Sequence, residues 1–406
     1  MNVLILAPRL PHSRAYSGMQ TVYQRMRLLL QRGYGVGLCC YTHPEDEAYQ
    51  HSLPSELIDV QMMPGPLWNR MLPGSFTKGR YSTPSSFFRF HSERMRQRVG
   101  EQVQRHQYDV VLAEFSAMGY CFMHNPWLPA VRRMISCHDS PALSSRRRLS
   151  VLGSGYGWAK QWLEYRHMRY MEFRLYHAAD RVLTLTNEER LALLEEDPTL
   201  RIRCIPPGLR SNSFEQMDGI QEEHCILITS RFDNEQSHFG VLWFLRNVWP
   251  LLRRRDPQLK VYLVGKNPSS VMQHIAKRDN RVIVTGWVED LRPFLAKCKV
   301  YVCPVRTGSG IRGKILEAMA MEKPVVSTTI AAEGIAVDQG SNAFLADAPP
   351  VMADLIYMLL HDPEKRKVMG HRARNLVEHY FTWDQSMDML ETTLHELVAK
   401  RSYHVN

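Results

Sequence analysis

Between Arg306 and Lys314 the chain sets three glycines, Gly308, Gly310 and Gly313, among three cations, Arg306, Arg312 and Lys314. That combination suits a cluster of anionic oxygens. Glycine lets backbone N–H groups approach where a Cβ would intrude, and cations neutralise the charge. The helix that follows adds unpaired N–H donors and the positive end of its dipole. Ile315, Leu316, Met319 and Ala320 recur at helical spacing and leave Glu317 on a different face, one turn in from the loop. A carboxylate there accepts hydrogen bonds from ribose hydroxyls. With Ser309 and Ile311 completing the loop, the segment reads as a diphosphate cradle. The plainer reading, a glycine-rich turn before a surface helix, is weakened by the cations and by the nearby carboxylate.

The elements around this loop set its context. Val300, Tyr301, Val302 and Cys303 form an apolar strand before it, and Pro324, Val325 and Val326 open another after the helix. Strand and helix patterns alternate in this way from the start of the chain, which predicts an α/β protein with parallel sheets. Val3 to Leu6 form the first strand, a polar loop covers 8–18, and residues 19–32 follow a helical pattern on Val22, Met26, Leu29 and Leu30. Two further strands end on polar residues. Val110 to Ala113 end at Glu114, and Met134 to Cys137 end at His138 and Asp139. Open parallel sheets bind ligands at the carboxyl ends of their strands, so Glu114 is a candidate on the acceptor side and His138 and Asp139 are candidate catalytic residues. For His138 the plainer reading is a histidine satisfied at a strand end.

The 406 residues exceed what one core usually holds, and 44% hydrophobic content supports two. Eight cysteines, with Cys39 and Cys40 adjacent, lack the spacing of a zinc site or a disulfide framework and read as buried thiols in a reducing compartment. No basic leader precedes Val3 and no apolar run reaches the length of a membrane span, so a cytoplasmic protein is expected, with the inner membrane face as a further candidate location. Residues 1–210 carry 27 basic against 18 acidic residues, and residues 211–406 carry 24 against 23. The excess therefore belongs to the first half. An anionic membrane surface, a lipid diphosphate or an acidic glycan would each suit it, and no nucleic-acid motif accompanies it. Within that half, residues 87–105 form a basic helix that fits either solvent or a membrane interface. Residues 156–177 form a long helix whose Trp158 and Trp162, beside arginines, suit a membrane interface, although packing on the domain core is the expected origin of the tryptophans.

The cradle, the paired strands at 261–265 and 282–288 and the opening strand and loop together resemble the family-4 retaining glycosyltransferases. Pro8, Arg9, Leu10 and Pro11, with Leu242, Trp243 and Phe244, bring the chain closest to a bacterial subgroup associated with exopolysaccharide synthesis. The resemblance covers nearly the whole chain and implies the GT-B fold, two facing Rossmann-like domains. The expected boundaries are 1–209 for an acceptor-side domain, 210–223 for a linker, 224–380 for a donor domain, and 381–406 for a helix returning to the first domain.

The resemblance also implies roles. Lys314 and Arg231 match cationic positions that hold the diphosphate, with Gly308, Ser309, Gly310, Ile311, Arg312 and Gly313 around it. Gly18 would let the first domain's backbone approach the phosphates. Glu317 matches the ribose-binding second glutamate of the Glu-x7-Glu motif, Trp287 and Val288 lie where the base is read, and His138 lies near the donor sugar. Two positions depart from the pattern: Ser309 stands for the first glutamate, and Gln236 for a lysine. The implied activity is metal-independent transfer of a sugar from a nucleotide-sugar substrate to a glycan or lipid-linked acceptor, with retention and no cofactor. Competing readings are a nucleotide-sugar 2-epimerase and a degenerate GT-B partner subunit, the latter favoured by Ser309. A dehydrogenase is excluded, because Pro8 and Pro11 occupy the turn that would carry GxGxxG.

Overall fold

The computed structural model of the chain describes residues 1–13, 15, 17–65, 90, 92–151, 155–209, 217, 219–308 and 310–399. Ser309 and much of the expected 210–223 connection lie outside them. The chain forms two compact units, Met1–Pro206 with Ser386–Asn406, and Pro207–Gln385.

In the first unit, strands β1 (Asn2–Ala7), β2 (Gly35–Thr42), β3 (Val60–Pro64), β4 (Val110–Glu114), β5 (Arg132–Cys137), β6 (Arg181–Thr184) and β7 (Ile202–Cys204) build one parallel sheet in the order β3-β2-β1-β4-β5-β6-β7. The unbroken apolar run of β1 follows from burial on both faces. Val3, Ile5 and Ala7 enter one core, with Val22, Met26 and Leu29 of helix Ser17–Gln31 and Met387, Leu390 and Leu394 of helix Trp383–Ala399. Leu4 and Leu6 enter the other, with Met95 and Val99 of helix Glu93–His106 and Met168 and Leu175 of helix Tyr156–His177. Arg32 adds ion pairs to Asp388, at 2.6 Å, and to Glu391.

In the second unit, β8 (Cys225–Thr229), β9 (Lys260–Val264), β10 (Val282–Gly286), β11 (Val300–Cys303), β12 (Val325–Ser327) and β13 (Phe344–Leu345) form a parallel sheet in the order β10-β9-β8-β11-β12-β13. Each unit begins on a central strand, runs outward one way, then restarts beside that strand and runs the other way. The reversal opens a crevice between β1 and β4 in the first unit and between β8 and β11 in the second.

Two helices differ from expectation in opposite senses. Glu93–His106 buries Met95, Val99 and Val103, and Arg96 reaches the Met123 carbonyl at 3.0 Å, so its apolar face is already covered by the protein. Trp158 and Trp162 were expected on the core, yet they stand 40% and 37% exposed. The eight cysteines are free thiols, seven of them buried.

Helix Gly313–Ala320, which follows the glycine loop, is held from behind by helix Pro363–Tyr380 through Ala373 and Val377. The approach is close because of Gly370: a Cβ there would lie 2.0 Å from the backbone oxygen of Glu322. A backbone atom cannot swing aside as a side chain can. Gly370→Ala should therefore cost about 1–3 kcal/mol of stability, measured by urea unfolding, as overpacking against fixed atoms does; an unchanged midpoint would mean that the two helices part freely.

Candidate functional site

The crevice of the second unit is floored by a bond between its two central strands, Thr229 Oγ1 to Tyr301 OH at 2.8 Å, both residues buried. Lys314, the second residue of helix Gly313–Ala320, reaches across from the far side. Its Nζ donates to Ser230 Oγ at 2.9 Å and to the Thr229 carbonyl at 3.3 Å, at the end of β8. An ammonium has three protons, so one remains for a ligand. Burial lowers the Lys314 pKa, and neighbouring Arg312 adds to the effect against the opposing pull of Cys303 and Glu317. Its charge is thus poorly solvated, and an anion would relieve it.

The three cations of the loop do three different things. Arg306 turns away, its guanidinium 4.4 Å from the centre of the Trp243 ring and bonded to the Asp347 carbonyl at 3.0 Å. Arg312 folds back on the loop, donating to the carbonyls of Gly310 at 2.8 Å and Thr307 at 3.3 Å and to Gln236 Oε1 at 3.4 Å. It braces the loop's carbonyls. Gly308, with φ at 102°, sits against Gln236, where a Cβ would meet Oε1 at 2.2 Å. Gln236, at the position where the resemblance expects a lysine, is therefore part of the loop's support. Among the described residues no side-chain hydrogen bond caps helix Gly313–Ala320, whose N-cap is Arg312.

Glu317 lies partly buried one turn into that helix, and burial raises its pKa against the nearby Lys314 charge. Among the described residues its carboxylate has no hydrogen-bond partner. Arg231, after β8, is paired in two contacts with Asp233 at 3.1 and 2.9 Å, which holds the Asp233 carboxyl below its usual range. Trp287, after β10, is 61% exposed with the Lys266 ammonium 5.2 Å from its ring centre; Val288 beside it is partly buried.

In the first unit the predicted strand-end residues do meet. Glu114 is fully buried and accepts from Arg25 Nη1 at 2.7 Å, while His138 Nε2 lies 2.7 Å from its other oxygen. Burial alone would raise the Glu114 pKa, but Arg25 first and His138 second bring it down to about 2. His138 stacks on Phe115 at 4.0 Å between centroids, and Phe115 holds a left-handed φ of 70°, unusual for an aromatic residue. Among the described residues His138 Nδ1 is buried without a partner, a donor or acceptor able to take one. Asp139 points outward, exposed. Gly18 lies in the first turn of helix Ser17–Gln31, the helix that supplies Arg25.

Arg25 had a sequence signal that went unread: it falls three residues after Val22 and four before Leu29, on the apolar face of its helix. Glu172 had the same signal, four after Met168 and three before Leu175. Fully buried, it accepts from Tyr176 OH at 2.6 Å, Ser140 Oγ at 2.8 Å, the Ala142 amide at 2.9 Å and Ser116 Oγ at 3.2 Å. It thereby ties down the turn that follows His138.

His224, Asp256 and His361 also come together, with ligand atoms within 4.8 Å of one another. They lie at the amino ends of the strands, away from the strand ends that carry the loop. Lys299 Nζ approaches His224 Nδ1 at 3.3 Å, so that nitrogen accepts while Nε2 keeps its proton for Asp256 at 2.6 Å. A nitrogen so protonated does not ligate a metal.

Glu172 generates a pH prediction. Desolvation pushes its carboxyl up to about 7 from an ordinary 4.5, so the folded state holds a proton that the unfolded state has released. Stability should fall as pH rises between those values and level off above them. Glu114 acts in a separate window, losing its contribution as pH falls below 4.5 toward about 2. Glu172→Gln, whose amide can still accept from Ala142, should flatten the difference in unfolding midpoint between pH about 5 and about 8. An undiminished slope in that variant would assign it to another group.

Two family models match the chain, "Glycosyltransferase Family 4" over residues 18–212 and "Glycosyl transferases group 1" over residues 223–362. An uncharacterized 44.6 kDa protein in the cps region of Klebsiella pneumoniae is 20% identical over 357 residues, 85% of this chain and 87% of that protein. The capsular polysaccharide biosynthesis glycosyltransferase CapM of Staphylococcus aureus is 28% identical over 125 residues, 29% of this chain and 33% of CapM. Among solved structures, HepE of Anabaena in complex with UDP-glucose superposes with a TM-score of 0.68 at 16% identity, over 98% of this chain and all of HepE. The two parallel-sheet units, the glycine loop between β11 and its helix, and the two matched models lead to one conclusion: this chain belongs to the family-4-like glycosyltransferases of the GT-B fold.

Proposed function

We propose that the protein transfers a sugar from a nucleoside-diphosphate donor to a glycan or lipid-linked acceptor in bacterial surface polysaccharide synthesis, with retention and without a metal. The observation that carries this reading is Lys314, a desolvated ammonium held by Ser230 Oγ and the Thr229 carbonyl at the start of helix Gly313–Ala320, with a third proton that no described residue takes. Breaking the bond between the anomeric carbon and the phosphate oxygen leaves its electron pair on the diphosphate. Lys314 and the amides around Gly310 and Gly313 stabilise that charge as it develops, which is the larger part of the barrier reduction. Glu317 accepts the ribose hydroxyls, the Trp287 ring and the backbone at Val288 receive the base, and Arg231 exchanges Asp233 for a phosphate oxygen. HepE, crystallised with UDP-glucose, supports a nucleotide-sugar donor. CapM and the protein of the cps region support polysaccharide as the product class.

On the first unit, Glu114 holds the His138 ring so that Nδ1 is offered to a sugar hydroxyl. Retention follows the pattern of the family that the sequence resembles: the acceptor hydroxyl attacks on the face that the leaving group vacates, and its proton passes to the departing phosphate oxygen. No protein base is then required. Fixed cations also make a metal unnecessary, since they already neutralise the diphosphate.

Lys314→Ala should lower kcat about a hundredfold or more, the scale for losing one preorganised donor to a developing charge. Glu317→Ala should act mainly on donor KM, by roughly tenfold, as loss of a charge-assisted hydrogen bond implies. Both are read from transfer of radiolabelled sugar to an extract of the glycan or lipid acceptor, and EDTA should leave the wild-type rate unchanged. Full activity in both variants, or abolition by EDTA of a folded protein, would defeat this reading.

A further inference from the structure

Glu114 closes β4 with both of its oxygens engaged. Arg25, on helix Ser17–Gln31 and itself 1% exposed, donates from Nη1 to Oε1 at 2.7 Å and to Ser136 Oγ at 3.1 Å. Oε2 faces His138 Nε2 at 2.7 Å. The carboxylate is fully buried, so it works from behind the site instead of meeting an acceptor, the role its strand end suggested. The imidazole in front of it is 7% exposed, its plane set by the stack on Phe115, with centroids 4.0 Å apart and planes 11° from parallel.

Which ring nitrogen holds the proton follows from this order. A guanidinium only donates, and an ionised carboxylate only accepts. The charges of Arg25 and Glu114 cancel, so a neutral imidazole leaves the buried group of three without net charge, the arrangement that a dry interior favours. A neutral ring has one proton, and the short contact to Oε2 claims it for Nε2. Nδ1, buried and without a partner among the described residues, then carries only a lone pair. It attracts the proton of a hydroxyl or amide and repels a carboxylate or ether oxygen, which has only lone pairs to offer.

We propose that Arg25 and Glu114 are positioning residues that hold His138 in the tautomer with its proton on Nε2, so that Nδ1 accepts a hydrogen bond and selects a sugar hydroxyl over an oxygen without a proton. The contact with a sugar rests on the transfer reading above; the tautomer does not. Arg25 keeps Glu114 an acceptor. Without a cation beside it a buried carboxylate takes up a proton, and a protonated carboxyl can donate to Nε2 and drive the ring proton to Nδ1.

The test uses the full-length, ligand-free protein with isotope-labelled histidine rings, because long-range proton–nitrogen NMR spectra separate a ring nitrogen that bears hydrogen from one that does not. His138→Gln assigns the signal. At pH about 8, where an ordinary imidazole is neutral, wild type should show a bare Nδ1 and a protonated Nε2. A proton on Nδ1, alone or on both nitrogens, would overturn the proposal. Glu114→Gln should reverse the ring: Arg25 takes the amide oxygen, the amide nitrogen turns to His138, and Nε2 must accept. Arg25→Lys keeps a cation that only donates and should leave the ring as in wild type. A Glu114→Gln ring identical to that of wild type would also overturn the assignment. Leaving Arg25 without its anion costs stability, so the wild-type and Arg25→Lys spectra decide the matter if Glu114→Gln does not fold. In the transfer assay Glu114→Gln should lower kcat/KM about tenfold, the scale of one lost hydrogen bond, with UDP affinity by calorimetry unchanged. An unchanged kcat/KM in a variant whose ring has reversed would remove the selection of a hydroxyl. The expected ring signatures without any transfer by wild type would defeat the sugar-transfer reading alone.

Discussion

The second unit is organised around a single ammonium. Strands β8 and β11 lie side by side while their onward connections leave in opposite directions, so the sheet opens at their carboxyl ends and backbone carbonyls face the gap. Lys314 spans it, bonded to the Thr229 carbonyl and to Ser230 Oγ. Everything adjacent fixes where that charge stands: Tyr301 sets the floor through Thr229, Arg312 and Gln236 brace the glycine loop, and Gly370 lets helix Pro363–Tyr380 seat helix Gly313–Ala320 from behind. A positive charge held this way is costly to leave without an anion, and on the reading proposed above that anion is a diphosphate.

The first unit solves the reverse problem with a buried negative charge. Glu114 stays ionised without contact with water because Arg25 and His138 surround it, and the same arrangement fixes the tilt of the imidazole. Removing Arg25 would leave the buried Glu114 charge without its cation, a defect far larger than the net gain of the pair. Glu172 takes the other route. Its oxygens receive four hydrogen bonds from neutral donors, none of them cationic, so its carboxyl rises toward neutrality instead of ionising.

Much of this was legible in the sequence. Parallel strands buried on both faces write themselves as unbroken apolar runs, as in β1 and β4, and the ends of such runs pick out Glu114 and His138. The glycine loop declared itself through residue types that serve poorly elsewhere. What stayed hidden was partnership. Types and spacing mark Arg306, Arg312 and Lys314 alike, and only the backbone path tells that one stacks on Trp243, one braces its own loop and one enters the crevice. Arg25 and Glu172 interrupt apolar helix faces, a pattern that signals a buried charge without naming its counterpart. The tryptophans of helix Tyr156–His177 were misplaced because aromatic residues normally earn their position by burial, and nothing in the local pattern says that the helix runs past the core that would cover them.

The central claim is that Lys314 and the loop before it hold a diphosphate. Calorimetric titration of the full-length protein with UDP and with uridine, in wild type and Lys314→Ala, tests it most directly, because the two ligands differ only in the phosphates. The account predicts that wild type binds UDP far more tightly than uridine, and that the variant loses most of this difference while its uridine affinity stays put. UDP binding that is equally tight in the variant, or no preference for UDP over uridine in the wild type, would contradict it.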